Sequence, residues 1–238
     1  MARRRFFVDA VRGGVAELRG EDARHLARVL RAAAGQRYEI SDSRSAYLAE
    51  IVEARGDRVV FRVLEPLETP AVAPRITLCA ALIKFDRFEW AIEKATELGV
   101  ERLVPVATAR GESGLLEASA KRAERWARIA RESSQQARRV RAPEIAPAVA
   151  FAQSVTEEAE HRYFLEEAGA PPLLRVLPAN RAAGDRVALL VGPEGGWTDA
   201  ERQLAAAAGW QPVSLGPLVL RVETAAAAAI AVLVNAWM

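Results

Sequence analysis

Arg186-Val187-Ala188-Leu189-Leu190-Val191-Gly192-Pro193-Glu194-Gly195-Gly196-Trp197 is the stretch that decides the fold. An unbroken apolar run from Val187 to Val191 follows a charged residue and ends on a glycine-rich turn. Such a run is what a strand buried on both faces requires, because helices cover a parallel sheet above and below. Directly after it, Thr198-Asp199-Ala200-Glu201 places a hydroxyl three residues before a carboxylate. That is a capping box, and it predicts a helix that Gly209 ends. Strand, glycine turn and helix in succession form the repeating element of an α/β sheet.

The same alternation extends in both directions. Downstream, Pro212–Leu215 reads as a strand and Val222–Trp237 as an apolar helix. Upstream, Ile76–Leu82, Leu103–Ala107 and Tyr163–Leu165 read as strands. Arg87–Leu98 reads as a helix capped by Gly99, and Leu116–Arg139 as one long basic helix. Residues 71–238 are therefore expected to form one α/β domain. Pro66 to Pro74 carries three prolines and is the expected linker. Residues 1–70 change character: Arg37–Ile40, Tyr47–Val52 and Arg58–Leu64 alternate as strands, with Gly56-Asp57 as a turn. One helix is expected over Asp22–Ala33, with Leu26, Val29, Leu30 and Ala33 sharing a face.

Two loops at strand ends suggest a ligand site. Ligands of open α/β sheets bind beyond the carboxyl ends of strands, where glycine lets the backbone approach closely. Gly192–Gly196 is one such loop and Leu215-Gly216-Pro217-Leu218-Val219-Leu220-Arg221 is the next. Glu194 and Glu223 would add negative charge suited to a cationic small molecule. The residues equally permit a tight strand–helix turn at Gly192–Gly196, and a helix N-terminal carboxylate at Glu223. Neither loop has dinucleotide or phosphate-loop spacing, so nucleotide-dependent chemistry is poorly supported.

Composition sets outer limits. The chain has 238 residues, 51% hydrophobic and 27% charged, which disfavours disorder. The single Cys79 excludes an internal disulfide, and two histidines with one cysteine cannot build the usual structural zinc site. No apolar core follows the charged start Met1–Asp9, and the longest apolar run, Thr224 to Val234, is about half a bilayer span. The expectation is a cytoplasmic protein with no membrane partner and no metal. The basic residues are 30 Arg against 3 Lys, with a net charge of only +2. That charge is uneven: residues 119–141 carry +6 while residues 142–238 carry −5. A concentrated basic segment points to nucleic acid; GC-rich codon usage accounts equally well for the preference of Arg over Lys.

The two loops also carry a resemblance. Gly192-Pro193-Glu194-Gly195-Gly196 followed by Leu215-Gly216, then Leu220-Arg221 and Glu223-Thr224-Ala225, resembles the RsmE-type 16S ribosomal RNA (uracil-N3) methyltransferases of the SPOUT superfamily. Three further stretches are similar in order and spacing: His25–Arg31, Lys94–Val100 and Gln136–Ile145. The chain departs from the family pattern at Gln135, where a glutamate is usual, at Val222, where a threonine is usual, and in the loop Thr108–Ser113.

The resemblance implies an α/β fold: a SPOUT-type parallel sheet with a C-terminal trefoil knot, preceded by a small PUA-like β-barrel that binds RNA. It implies S-adenosylmethionine as methyl donor, in a pocket formed by Leu165, Glu166, Val191, Gly192, Pro193, Glu194, Gly195, Gly196, Leu215, Gly216, Leu218, Leu220 and Thr224. Arg221 and Glu223 are the expected catalytic residues: Arg221 as the cation that stabilises a deprotonating base, Glu223 as proton acceptor or as the group that orients Arg221. The RNA-binding residues expected are Arg5, Arg24, Arg28, Arg31, Lys84, Lys94, Arg110, Arg139 and Arg141, with Arg3 and Arg4 beside the first. The implied partners are 16S rRNA within the 30S subunit and a second copy of the chain in a homodimer. Methylation of a ribose 2′-hydroxyl or another base, and a non-catalytic assembly factor, remain alternatives.

Overall fold

A computed structural model describes residues 4–69, 72–167 and 169–238. Arg3 and the expected divide at residues 70–71 lie outside the described residues. The chain forms two compact units, Met1–Pro70 with Glu132–Ala142, and Ala71–Arg131 with Pro143–Met238.

The first unit is a six-stranded sheet of β1 (Arg5–Phe7), β2 (Val11–Arg12), β3 (Val15–Arg19), β4 (Arg37–Ser41), β5 (Ala46–Arg55) and β6 (Arg58–Leu67). The order is β1-β4-β5-β6-β3-β2, antiparallel except where β1 runs parallel to β4. β4, β5 and β6 are the strands read from sequence; β1 and β3 pair with the distant β4 and β6, and β2 with its neighbour β3. The path ends on β1 and β2, which do not pair with each other among the described residues. The six strands enclose a core of Phe6, Leu18, Leu26, Ile40, Ile51 and Phe61.

The expected helix over Asp22–Ala33 is interrupted. An α-turn at Gly20–Arg24 passes into a π-turn at His25–Val29, and Arg31 adopts a positive φ of 50°. The wider π-turn shifts the side-chain period. Leu26 and Ala32 stay buried, while Val29 and Leu30 are exposed.

Glu132–Ala142 joins this unit through polar contacts. Arg5 is buried, its guanidinium held by Glu39 at 2.9 Å and by the Arg138 carbonyl at 2.5 Å. Arg5 is thus consumed in packing and is withdrawn from the expected RNA-binding set. The Ser41 hydroxyl donates to the Val140 carbonyl, and the Gln135 amide donates to Asp22 Oδ2 at 2.9 Å. That last bond accounts for the departure at 135: a glutamate there would set two carboxylates against each other.

The second unit is an all-parallel sheet of β7 (Arg75–Ala81), β8 (Arg102–Ala107), β9 (Glu144–Ile145), β10 (Val149–Ala150), β11 (His161–Leu165), β12 (Arg186–Val191) and β13 (Gln211–Val213). The order is β10-β8-β7-β12-β11-β13, with β9 beside β8. The chain lays down β7, β8 and β10 toward one edge and then returns, placing β12 between β7 and β11. Val187 to Leu190 are fully buried, as a central strand requires. Helix Phe85–Glu97 packs against the last helix, Val222–Trp237. Helix Asp199–Ala207 opens on the Thr198–Glu201 capping box and is followed by Gly209 at φ +79°.

The expected helix Leu116–Arg139 is three pieces: Leu115–Ser119, a 3-10 turn at Ala120–Arg122, and Ala123–Gln136. Trp126 and Ala130 face the core. On the other side Arg125 pairs with Glu89 at 2.6 Å, and Arg122 lies 4.9 Å from the Phe85 ring centroid. Part of the +6 segment is thereby neutralised locally. Among the described residues no helix is long and apolar enough to cross a membrane.

Candidate functional site

The carboxyl ends of β11, β12 and β13 open into one cleft, enclosing about 620 Å³ including its mouth. Leu165, Glu166 and Glu167 come from the end of β11; Val191, Gly192, Pro193, Gly196 and Trp197 from the end of β12; Leu215, Gly216, Leu218 and Leu220 from the loop after β13. Val222 and Ala225, on the first turn of the last helix, close the far wall, and Arg202 completes the lining.

Trp197 holds these pieces together. It is buried, its indole N–H donates to the Leu165 carbonyl at 2.8 Å, and its ring stacks on Phe164 at 4.6 Å. It thus ties the turn after β12 to the end of β11. The same ring explains Gly192, since a Cβ there would stand 2.7 Å from Trp197 Cε2. Gly192→Ala is expected to push the turn away from the ring and destabilise the protein by about 1–3 kcal/mol, the usual cost of overpacking. A denaturant melt checks this; an unchanged midpoint would mean the turn yields freely. Gly196 has φ +68° and its N–H closes onto the Pro193 carbonyl at 2.9 Å, so the turn itself needs a glycine.

The charge around the cleft differs from expectation. Glu194 turns outward into an ion pair with Arg87, and Glu223 and Thr224 line a separate cavity. Gly195 also leaves the lining; its carbonyl accepts from Arg110 Nη1 at 3.0 Å. The acidic groups at the cleft are instead Glu166 and Glu167. Glu166 meets Arg202 Nε at 2.7 Å, and that bond is the main cause of the raised Arg202 pKa. Arg202 and Trp197 are the principal residues that sequence reading missed; both reach the cleft from just beyond a motif. A second brace comes from the buried Glu201, whose Oε1 accepts the Ala109 N–H at 2.9 Å.

Arg221 stands exposed at the N-cap of helix Val222–Trp237. Among the described residues no ion pair joins it to Glu223, which is buried on the first turn of that helix. Of the expected RNA-binding cations, Arg24, Arg28, Arg31, Lys84, Arg110 and Arg141 are exposed and Arg139 is half-buried. Lys94 is corrected: it sits between Glu93 at 2.7 Å and Glu97 at 3.1 Å, which raise its pKa and absorb its charge. Arg139 and Arg141 belong to the first unit, not to the sheet that carries the cleft.

A parallel sheet with a ligand cleft beyond its strand ends, on a chain with a separate small β-rich unit, defines a class, and comparison with known proteins identifies it as the RNA methyltransferases. A family model described as an RNA methyltransferase domain matches residues 71–234, and one described as an RNA methyltransferase PUA domain matches residues 18–64. The chain belongs to the family of ribosomal RNA small subunit methyltransferase E. It is 33% identical to the protein of that name from Mycobacterium bovis, over 98% of this chain and 92% of the relative. It is 34% identical to that from Synechocystis, over 87% and 68%. Among solved structures, the Neisseria gonorrhoeae ribosomal RNA small subunit methyltransferase E bound to S-adenosyl methionine superposes with a TM-score of 0.88 at 28% identity, over 99% of this chain and 98% of that one. A Legionella pneumophila putative methyltransferase in complex with the same cofactor gives 0.88 at 31%, with the same coverage.

Proposed function

We propose that this protein transfers the methyl group of S-adenosylmethionine to N3 of a uridine in the 16S rRNA of the small ribosomal subunit. The observation that carries this reading is the single cleft built from the ends of β11, β12 and β13, in a chain alike throughout its length to relatives crystallised with that cofactor. The residues fit the molecule. Leu165, Leu215, Leu218 and Leu220 supply apolar walls for a purine ring, and Glu167, beside the Glu166–Arg202 pair, supplies negative charge for a sulfonium. When bound, the cofactor supplies an electrophilic methyl group on a cationic sulfur.

The chain must align the base and assist loss of its N3 proton. That pKa lies two to three units above neutral, so deprotonation costs roughly 3–4 kcal/mol. Arg221, exposed beside Leu220 and Val222 of the cleft, stabilises negative charge growing on the uracil oxygens. Glu223 receives the proton. Exposed Arg24, Arg28 and Arg31 on the first unit, with Lys84, Arg110, Arg139 and Arg141, hold RNA phosphates, which position the RNA without reading its sequence. Replacing Arg28 and Arg31 together by alanine is expected to lower the slope of log affinity against log salt by about 2. An unchanged slope in filter binding would return both to plain surface.

The trefoil knot, the homodimer, action within the 30S subunit and a cytoplasmic location belong to the same reading. The exposed apolar run Leu218-Val219-Leu220 favours a second copy as its cover. Purified protein, tritiated S-adenosylmethionine and small subunits lacking the mark test the function. Label in 3-methyluridine is expected. Label in a 2′-O-methylated or other nucleoside overturns the N3 assignment. No label, together with no heat of cofactor binding, makes the protein a binding factor.

A further inference from the structure

The cofactor cleft carries one charge that a positively charged ligand alone does not explain. Its lining is largely apolar, with two carboxylates, Glu166 and Glu167, and among the described residues that line it Arg202 is the only cation. A cation weakens a site for a sulfonium unless the ligand also brings an anion for it to meet.

Arg202 and Glu166 form a forked pair. Nε meets Glu166 Oε1 at 2.7 Å and Nη2 meets Oε2 at 3.3 Å, while Nη1 meets Asp199 Oδ1 at 3.2 Å. A guanidinium has five N–H donors, so these bonds leave two to spare. The Glu166 side chain is only 12% exposed. A carboxylate so placed costs desolvation that an apolar pair of similar volume avoids. The same two residues border a neighbouring hollow with Phe164, Ala206 and Trp210. The partition between cleft and hollow is therefore an ion pair in a place where aliphatic side chains would serve packing as well.

Besides its sulfonium, S-adenosylmethionine carries an ammonium and a carboxylate at its amino-acid end. We propose that the Glu166–Arg202 pair receives that end, Glu166 accepting from the ammonium and Arg202 donating to the carboxylate. The inference rests on the reading of the cleft as the S-adenosylmethionine site and adds to it the residue that selects among molecules sharing the adenosyl group. A cation and an anion held side by side match a zwitterion. No other part of the molecule has that pattern, since the adenosine is neutral and the sulfonium is met by Glu167. The rest of the lining offers the carboxylate no second cation. A molecule that keeps the sulfonium and the amine but lacks the carboxylate brings only positive charge to Arg202. Arg202, on helix Asp199–Ala207, is therefore a specificity-determining residue for the methyl donor.

The test is calorimetric titration of the full chain and its variants Arg202→Met, Arg202→Lys and Glu166→Gln. The ligands are S-adenosylmethionine, its decarboxylated form, and 5′-methylthioadenosine, which lacks the whole amino-acid end and the positive sulfur. A hydrogen bond to a charged group is worth roughly 10- to 100-fold, and the Arg202 side chain is 41% exposed, which sets the expectation at the lower end. The wild-type protein is expected to bind S-adenosylmethionine at least ~10-fold more tightly than the decarboxylated form. Arg202→Met is expected to abolish that preference by weakening S-adenosylmethionine alone, and Arg202→Lys to keep part of it. Glu166→Gln is expected to weaken both amine-bearing ligands and leave 5′-methylthioadenosine unchanged. Equal losses for all ligands in Arg202→Met make the residue a brace of the cleft wall and overturn the proposal while leaving the methyltransferase reading intact. A preference that survives undiminished in Arg202→Met does the same. No heat with any ligand in the wild-type protein is a failure of the underlying reading, takes the proposal with it, and is seen before any variant is made.

Discussion

Trp197→Ala is expected to cost about 3–5 kcal/mol of stability, the range for removing a large buried aromatic. The indole is 2% exposed, stacks on Phe164, lies 5.2 Å from the Phe151 ring centroid and donates to the Leu165 carbonyl. Truncation removes the packing and leaves that carbonyl without its donor. Losses of this size approach the whole stability of many single domains. Whatever fraction stays folded should bind S-adenosylmethionine poorly, because Trp197 is what holds the turn after β12 against the end of β11. Urea denaturation and calorimetry on the same preparation check both effects. Trp197→Phe keeps most of the ring area but not the N–H, and should lose less stability than alanine. Normal cofactor affinity in a destabilised Trp197→Ala would show that the cleft does not depend on this brace.

Arg221→Ala is expected to lower kcat about 100- to 1,000-fold, the usual cost of removing one donor from a developing anion. Cofactor affinity should survive, because Arg221 is not among the residues lining the cleft. Folding should survive as well. Arg221 is exposed and makes no side-chain capping bond to its helix, so nothing structural is lost with it. Glu194, also exposed, is taken up in an ion pair with Arg87, whereas no ion pair holds Arg221 among the described residues. Lysine at 221 keeps the charge but not the planar fork, and should restore only part of the rate. Single-turnover assays with saturating cofactor measure the step directly. A wild-type rate would remove Arg221 from the reaction.

Much of the α/β unit was legible because its signals are local. The apolar run Val187–Val191, the capping box at Thr198–Glu201 and the last helix from Val222 to Trp237 appear at the expected residues. Ten of the thirteen residues expected at the cofactor line the cleft, because the loops that carry them follow directly on the carboxyl ends of parallel strands. The other three lie elsewhere: Glu194 pairs with Arg87, the Gly195 carbonyl accepts from Arg110, and Thr224 lines a second cavity. In the RNA-facing set, two cations are taken up by carboxylates, Arg5 by Glu39 close in space and Lys94 by Glu93 and Glu97 close in sequence. Sequence shows the charge of an arginine but not its partner 34 residues away.

By itself, the sequence determined the class of fold, the position of the ligand loops and the membership of a family, because burial period, capping chemistry and glycine turns act over a few neighbouring residues. Tertiary structure alone decided which charges are spent. It brought Glu132–Ala142 into the first unit, inserted β12 between β7 and β11, and put Trp197 over Gly192. It also buried Glu223 on the first turn of the last helix while leaving Arg221 exposed beside it. These outcomes depend on contacts between residues distant in the chain, whose energies come from packing and desolvation once the chain has closed on itself, and no local pattern encodes them.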